Sequence, residues 1–109
     1  MNRTIISLIA LSNIALIAIF SSPVIAADGK AVFEKTCKIC HVPGIAGAPK
    51  LGDKAVWATR NKKGMDTLVK NAIGGFKGAK GMMPPKGGNP KLSDGDVKAA
   101  VKYMLDASK

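Results

Sequence analysis

The fold class that the sequence predicts is a single small all-α domain with about four short helices. Four stretches have the residue spacing of a helix face, and each follows a capping residue or a glycine. The stretches between them are rich in glycine, proline and lysine, and none alternates apolar with polar residues as a strand does. These two patterns favour short helices joined by irregular loops.

The first 26 residues have the organisation of a secretory signal peptide. Arg3 precedes an apolar run from Ile5 to Phe20, and the ending Val24-Ile25-Ala26 is typical of a cleavage site. Polar residues interrupt a run that is already short for a membrane span. We predict that residues 1–26 are removed and that residues 27–109 form the mature domain in the periplasm. These 83 of the 109 residues can form only a small hydrophobic core, and a domain of this size usually needs an additional stabilising element such as a cross-link or a bound group.

The first predicted helix begins behind the cap Asp28 and ends in the motif Cys37-Lys38-Ile39-Cys40-His41. Residues at i and i+3 share a helix face and i+4 lies beside them, so both thiols can bond one flat ligand while the imidazole reaches its centre. A haem fits this description, because its vinyl groups take the thiols and its iron takes the imidazole. The motif predicts one covalent haem c, attached through Cys37 and Cys40, with His41 as an iron ligand.

Two other interpretations of the motif are weaker. A structural zinc site needs four nitrogen or sulfur ligands, whereas the chain has two cysteines and one histidine in total. A thioredoxin-like pair would need a βαβ context, which the helical flanks do not provide. A thiol oxidoreductase that uses Cys37 and Cys40 without haem stays as an alternative of a different class.

An irregular loop, residues 42–52, is predicted to follow the motif because Pro43 and Gly44 end the helix. We expect this loop to wrap one edge of the haem. A ligating imidazole normally donates its second N–H to a fixed acceptor. A backbone carbonyl near Pro49 is therefore the expected partner of His41.

The second predicted helix is short, is capped by Asp53 and carries Trp57 and Arg60 one turn apart. An indole N–H and a guanidinium are the donors that a buried haem propionate needs. For Trp57, core packing and propionate contact are equally good interpretations, since a buried indole commonly needs a partner.

Two further helices are interpreted as core packing. The third follows Gly64, has apolar residues at i, i+3, i+4, i+7 and i+8, and ends at Gly74-Gly75. The last begins at a capping box formed by Ser93 and Asp96. The segment between them, residues 76–90, is predicted to be a loop.

The iron needs a second axial ligand, and the chain has no second histidine. A methionine thioether is the usual alternative. Two of the four methionines of the mature domain belong to helix stripes and are more simply explained as core, which leaves Met82 and Met83 in the loop. Successive side chains of an extended segment point to opposite sides, so only one of the pair can face the haem. Pro84 gives Met83 the more fixed backbone, and Met82 stays the alternative.

Several motifs of the mature chain occur together in one known family. They are Gly29, Phe33, the Cys37-to-His41 motif, residues 47–53, Trp57, Gly81-Met82-Met83-Pro84, residues 87–92 and Tyr103-Met104. This pattern resembles small class I cytochromes c of the c5 and c-555 type, and most of all the c-555 electron carriers of green sulphur phototrophs. Some c5-type members carry an additional cysteine pair near the last loop, which this chain lacks.

The resemblance implies a class I cytochrome c fold wrapped around one covalent haem. It implies that the methionine immediately before the proline, Met83, is the distal ligand. It also implies that Pro49 accepts the proximal hydrogen bond, and that Gly29 and Phe33 cross the C-terminal helix near Tyr103.

The chain is strongly basic, with 17 lysines and arginines against 7 acidic residues. A basic surface favours acidic partners, and export together with dispersed lysines argues against nucleic acid. We expect acidic redox proteins as donor and acceptor, such as a membrane-bound reaction centre or oxidase. The lysines expected around an exposed haem edge are Lys38, Lys77, Lys80 and Lys86.

These observations predict a soluble periplasmic monohaem cytochrome that carries one electron at a time and is not an enzyme. Two filled axial positions leave no place for a substrate on the iron, and no catalytic triad or carboxylate pair accompanies them. We expect a monomer with no stable membrane insertion after cleavage, and the resemblance implies photosynthetic or sulphur-oxidising electron transport. The alternative is a haem enzyme subunit or gas-binding sensor, in which Met83 would leave readily.

Overall fold

The computed structural model describes residues 14–17 and 27–109. Most of the predicted signal peptide, residues 1–26, lies outside the described residues, so its removal stays a prediction. In the part of the chain that the structure describes, no helix has the length and apolar character needed to cross a membrane.

The first helical run begins at the predicted cap and contains the cysteine motif. Asp28 accepts a hydrogen bond from the Ala31 amide at 3.2 Å. The run consists of the α-helical turn α1 (Gly29–Val32), a π-helical segment (Phe33–Cys37) and a second α-helical turn α2 (Lys38–His41).

The π-helical segment is a feature that the sequence analysis did not predict. Its hydrogen bond runs from the Lys38 amide to the Phe33 carbonyl, five residues back. Such a turn holds one residue more than an α-helical turn, so the residues of α2 are rotated relative to those of α1. Phe33, at the start of this segment, and His41, at the end of α2, are both buried.

Three longer helices follow, and each begins where the sequence predicts. Asp53 accepts from the Val56 amide, and Ser93 and Asp96 form a complete capping box. The helices are α3 (Lys54–Asn61), α4 (Met65–Gly74) and α5 (Asp94–Asp106). Together with the first helical run they confirm the predicted all-α class for the described part of the chain.

The segment between α4 and α5 contains a short hairpin. Strand β1 (Phe76–Gly78) pairs antiparallel with β2 (Gly81–Met83), and a 3₁₀ turn, Pro85–Gly88, follows. The prediction of a plain loop was wrong here. Strands of three residues that contain glycine and lysine show too little alternation to be recognised in a sequence.

The core lies where the first helical run crosses α5. Phe33 is 1% exposed, and the centroid of its ring lies 5.4 Å from that of Tyr103. A Cβ atom on Gly29 would overlap the Ala99 carbonyl, so glycine permits the close approach of the two helices. This confirms the crossing that the resemblance implies. The other buried apolar residues are Trp57, Ala72, Val97, Ala100, Val101, Met104 and Leu105.

Candidate haem site

Two thiols lie near the end of the first helical run. Cys37 and Cys40 are both free and half-buried, and Cys37 packs against the core. Burial raises the pKa of the Cys37 thiol, because the charged thiolate is disfavoured away from water. The pair stands three residues apart and is not joined as a disulfide.

His41 follows the second thiol and is 7% exposed. Its Nδ1 lies 2.8 Å from the carbonyl oxygen of Pro49. A carbonyl can only accept a hydrogen bond, so Nδ1 carries the proton and Nε2 keeps the lone pair that can bind a metal. The structure thus contains the hydrogen bond that was expected for a ligating imidazole.

The surroundings of His41 favour its neutral form. Burial lowers the pKa of the imidazole, the Pro49 hydrogen bond opposes that change, and the charge of Arg60 lowers the pKa further. The net direction is downward. A neutral imidazole is the form that binds a metal. Arg60 is half-buried on α3 and forms no salt bridge with any acidic residue in the described ranges.

Trp57 supports the loop that holds His41. The two ring centroids are 6.1 Å apart, and the indole N–H donates to the Lys50 carbonyl at 2.8 Å. The Leu51 amide donates to the His41 carbonyl at 2.8 Å. The single N–H of Trp57 is used by a backbone carbonyl in this structure, which favours core packing over propionate contact. The propionate contact stays a prediction.

Met82 and Met83 lie on opposite faces of the hairpin. Met82 is paired across the strands with Lys77 and is 62% exposed. Met83 is paired with Phe76, is half-buried and packs against the core. This difference favours Met83 as the inward donor, although its bond to iron stays a prediction.

The lysines near the hairpin divide into two kinds. The Lys86 side chain is 23% exposed, and its Nζ donates to the Leu92 carbonyl at 2.7 Å and lies 3.2 Å from Asp94 Oδ1. The side chain of Lys86 is therefore less exposed than the sequence analysis expected, and its place at the haem edge stays a prediction. The other three expected lysines are exposed, and these are Lys38, Lys77 and Lys80.

The loop after the motif touches the hairpin backbone to backbone. A Cβ atom on Gly81 would overlap the Ala46 carbonyl, and one on Gly47 would overlap the Lys80 carbonyl. Sequence analysis missed this contact. The glycines are visible in the sequence, but nothing in it pairs two segments that lie more than thirty residues apart.

These residues fit a haem better than a bare metal ion. In residues 14–17 and 27–109, no group of three or more His, Cys, Asp or Glu side chains converges as a metal site requires. Two thiols three residues apart match two thioether bonds, and the Nε2 of His41, with its lone pair free, is a candidate iron ligand beside them.

A model of the cytochrome c family matches residues 26–108. The chain belongs to the cytochrome c family. Membership implies a covalent haem c and identifies the protein as a monohaem electron carrier. The Cys37-to-His41 motif is the haem-attachment motif of this cytochrome c.

Curated relatives agree with the c5 and c-555 resemblance, and a solved structure agrees with the cytochrome c fold. The chain is 57% identical over 84 residues to cytochrome c-555 of Chlorobaculum thiosulfatiphilum, which covers 77% of this chain and 98% of the relative. It is 41% identical over 81 residues to cytochrome c5 of Azotobacter vinelandii, and this match covers 72% of this chain and 93% of the relative. A chain from the crystal structure of the electron transfer complex of nitrite reductase with cytochrome c superposes with a TM-score of 0.66 at 40% identity, covering 75% and 95%.

Proposed function

We propose that this cytochrome c is an exported, periplasmic one-electron carrier. Its haem is bonded to Cys37 and Cys40, and its iron is ligated by His41 and Met83. The observation that carries the proposal is the hydrogen bond from His41 Nδ1 to the Pro49 carbonyl, which leaves Nε2 as the free ligand atom. When bound, the haem supplies reversible one-electron chemistry, and the protein sets its potential and its access.

The side chains around the site have separate roles in this proposal. The thioether of Met83 favours the ferrous state and raises the reduction potential. The hydrogen bond to Pro49 fixes the orientation of the His41 ring and increases its basicity. Arg60, which has no carboxylate partner in the described part of the chain, is the proposed donor to a haem propionate.

Intact mass spectrometry of the periplasmic protein tests export and attachment together. We expect a chain of residues 27–109 that carries one haem and has no free thiol at Cys37 or Cys40. A haemochrome spectrum identifies the haem independently. A retained N-terminus contradicts cleavage, and free thiols contradict covalent attachment and favour a thiol oxidoreductase.

Carbon monoxide binding distinguishes a carrier from an enzyme or a gas sensor. If Met83 holds the iron, the ferrous protein should not bind carbon monoxide at neutral pH, whereas Met83→Ala should bind it. Rapid binding by the unaltered protein would favour a labile distal ligand, and with it the sensor or enzyme-subunit alternative.

We further propose that the partners are acidic redox proteins that dock beside the hairpin. The large apolar side chains exposed within residues 27–109 lie on two contacting segments, one from Ile39 to Ile45 and the other on β2. Lys77 is the cross-strand neighbour of one of them, and Lys80 lies at the tip of the same hairpin. An apolar centre with a basic rim suits an acidic partner surface. The apolar side chains are Ile39, Val42, Ile45 and Met82.

Salt dependence of electron transfer tests this docking surface. Charge screening shortens to about 10 Å at 0.1 M salt, so the rate with an acidic partner should fall as salt is added. Lys77→Gln should reduce both the rate and its salt dependence, whereas Lys98→Gln on α5 should change neither. The relation to a cytochrome c crystallised with nitrite reductase supports a protein partner. Rates that stay flat or rise with salt would contradict a basic docking surface.

A further inference from the structure

We propose that Lys86 is a positioning residue that ties the loop after Met83 to the start of α5 and so keeps Met83 on the iron. The inference rests on the proposed ligation by Met83 and extends it to a residue outside the ligand set. Three observations support it: the contacts of Lys86 Nζ, the backbone conformation of Lys86, and the packing of the turn that contains it.

The Lys86 ammonium joins the turn to the start of α5. Nζ donates to the Leu92 carbonyl at 2.7 Å and lies 3.2 Å from Asp94 Oδ1. The Asp94 side chain is 73% exposed, so solvent screens this ion pair and weakens it. The bond to Leu92 is the stronger contact, because a charged donor with little solvent access meets a backbone acceptor.

The backbone of Lys86 is in a conformation that favours glycine. Its φ is +54° and its ψ is 31°, which is the left-handed region. Gly87 and Gly88 follow with φ of +62° and +85°. Lys86 is thus a side-chain-bearing residue where glycine would be less strained. Such an outlier points to a function of the side chain, and the contact with Leu92 supplies one.

The turn that contains Lys86 is connected to the distal methionine through short-range contacts. The Gly87 amide donates at 3.0 Å to the carbonyl of Pro84, the residue that follows Met83. A Cβ atom on Gly75, at the end of α4, would lie 3.1 Å from the Pro85 ring. Movement of Met83 away from the core therefore requires movement of this turn.

The contacts that hold the turn in place differ in strength. The contacts with Gly75 are van der Waals contacts. The hydrogen bond from the Asn89 side-chain amide to Thr36 Oγ1 is long, at 3.4 Å. Lys86 supplies the short, charged bond. Loss of that bond should make opening of the loop more frequent, because local opening depends on the few contacts that the opened segment gives up.

The rate at which imidazole enters the ferric holoprotein measures this opening. Lys86→Met keeps the chain length but removes the donor, and imidazole binding should become about tenfold faster. Lys86→Ala removes the donor and keeps the Cβ atom, and with it the left-handed strain. It should show the same direction of change, so that the change is assigned to the lost bond and not to the backbone. Lys86→Arg keeps a donor and should restore a rate near that of the unaltered protein.

Lys91→Met is the matched control. Lys91 is exposed in the same loop, and its replacement changes the net charge equally. We expect its imidazole rate to stay within about twofold of the unaltered protein. Equal rates for Lys86→Ala and Lys91→Met would overturn the role of Lys86, even if Lys86→Met failed to mature.

The absorption spectrum distinguishes an error in the role of Lys86 from an error in the assignment of Met83 as the distal ligand. If Met83→Ala loses the thioether-to-iron charge-transfer band while the Lys86 variants bind imidazole no faster than Lys91→Met, only the role of Lys86 is wrong. If Met83→Ala keeps the band, both the assignment and the inference are overturned.

Discussion

The two sides of the proposed haem site, proximal at His41 and distal at Met83, are held by different kinds of contact. On the proximal side, three hydrogen bonds of 2.8 Å join His41 and Trp57 to residues 49–51. On the distal side, Met83 sits at the end of a three-residue strand, before two prolines and the turn that Lys86 ties to α5. The proximal side is thus held by a network of hydrogen bonds, and the distal side by a loop whose turn contacts neighbouring segments.

This difference predicts which axial bond is lost first. A hydrogen bond contributes about 0.5–1.5 kcal/mol net, and the proximal loop has three bonds of 2.8 Å. Apart from the Lys86 bond to Leu92, the side-chain polar contacts of the distal turn are weak, because the Asp94 ion pair is exposed and the Asn89 hydrogen bond to Thr36 is long at 3.4 Å. Loops held in this way open at low free energy. We expect external ligands to replace Met83 long before they replace His41.

The largest expected loss of stability comes from disrupting the backbone contact between the loop of residues 42–52 and the hairpin. Gly47→Ala places a Cβ against the Lys80 carbonyl at a φ of +75°. Strain in the left-handed backbone costs roughly 1–2 kcal/mol, and the overlap adds about 1–3 kcal/mol. Denaturant unfolding of the ferric holoprotein measures the sum.

Gly52→Ala is the control for that experiment. Gly52 has a similar φ of +86°, but a Cβ there would meet nothing within 4 Å. It should lose only the strain, about 1–2 kcal/mol. Equal losses of stability for the two variants would show that the contact between the loop and the hairpin is unimportant.

The next largest loss of stability is expected from a substitution that weakens only the proximal side. Trp57→Phe removes the indole N–H and leaves the Asp53 amide, at 3.1 Å, as the remaining donor to the Lys50 carbonyl, which should reduce the free energy of unfolding by about 0.5–1.5 kcal/mol. The thioether-to-iron band should stay, because the distal loop is unchanged. Tyr103→Phe is the control, since the Tyr103 hydroxyl has no hydrogen-bond partner in the described ranges, and it should change stability by less than about 0.5 kcal/mol. Loss of the band in Trp57→Phe would contradict the separation of the two sides.

The smallest effect is expected at the long hydrogen bond beside the distal turn. Thr36→Val keeps the shape of the side chain but removes the acceptor of the Asn89 amide, which lies 3.4 Å away. The loss in unfolding free energy should be under about 1 kcal/mol, with Thr36→Ser close to the unaltered protein. A loss above about 2 kcal/mol for Thr36→Val would show that the distal side depends on hydrogen bonds as the proximal side does.

Local sequence rules account for the helices and for the attachment motif. Asp28, Asp53 and the Ser93–Asp96 box begin helices because capping is decided within four residues. The hydrogen bond between His41 and Pro49 also spans a short distance, eight residues. These features could therefore be predicted from the chain alone.

The features that escaped prediction depend on contacts between distant segments or on weak local patterns. The partner of the Trp57 indole was left open because the sequence shows the donor and not the fold that selects an acceptor. The contact of Gly47 with Lys80 joins two loops with no shared pattern, and the hairpin is too short to show alternation. The half-buried position of Lys86 was missed because lysine is usually exposed.

The most direct test of the distal assignment compares Met83→Ala with Met82→Ala in the ferric protein. Met83→Ala should remove the thioether-to-iron charge-transfer band, lower the reduction potential and open the iron to external ligands. Met82→Ala should leave all three nearly unchanged, since Met82 is 62% exposed on the other face of the hairpin. If Met82→Ala loses the band and Met83→Ala keeps it, the distal ligand is Met82 and the account given for the distal side is wrong.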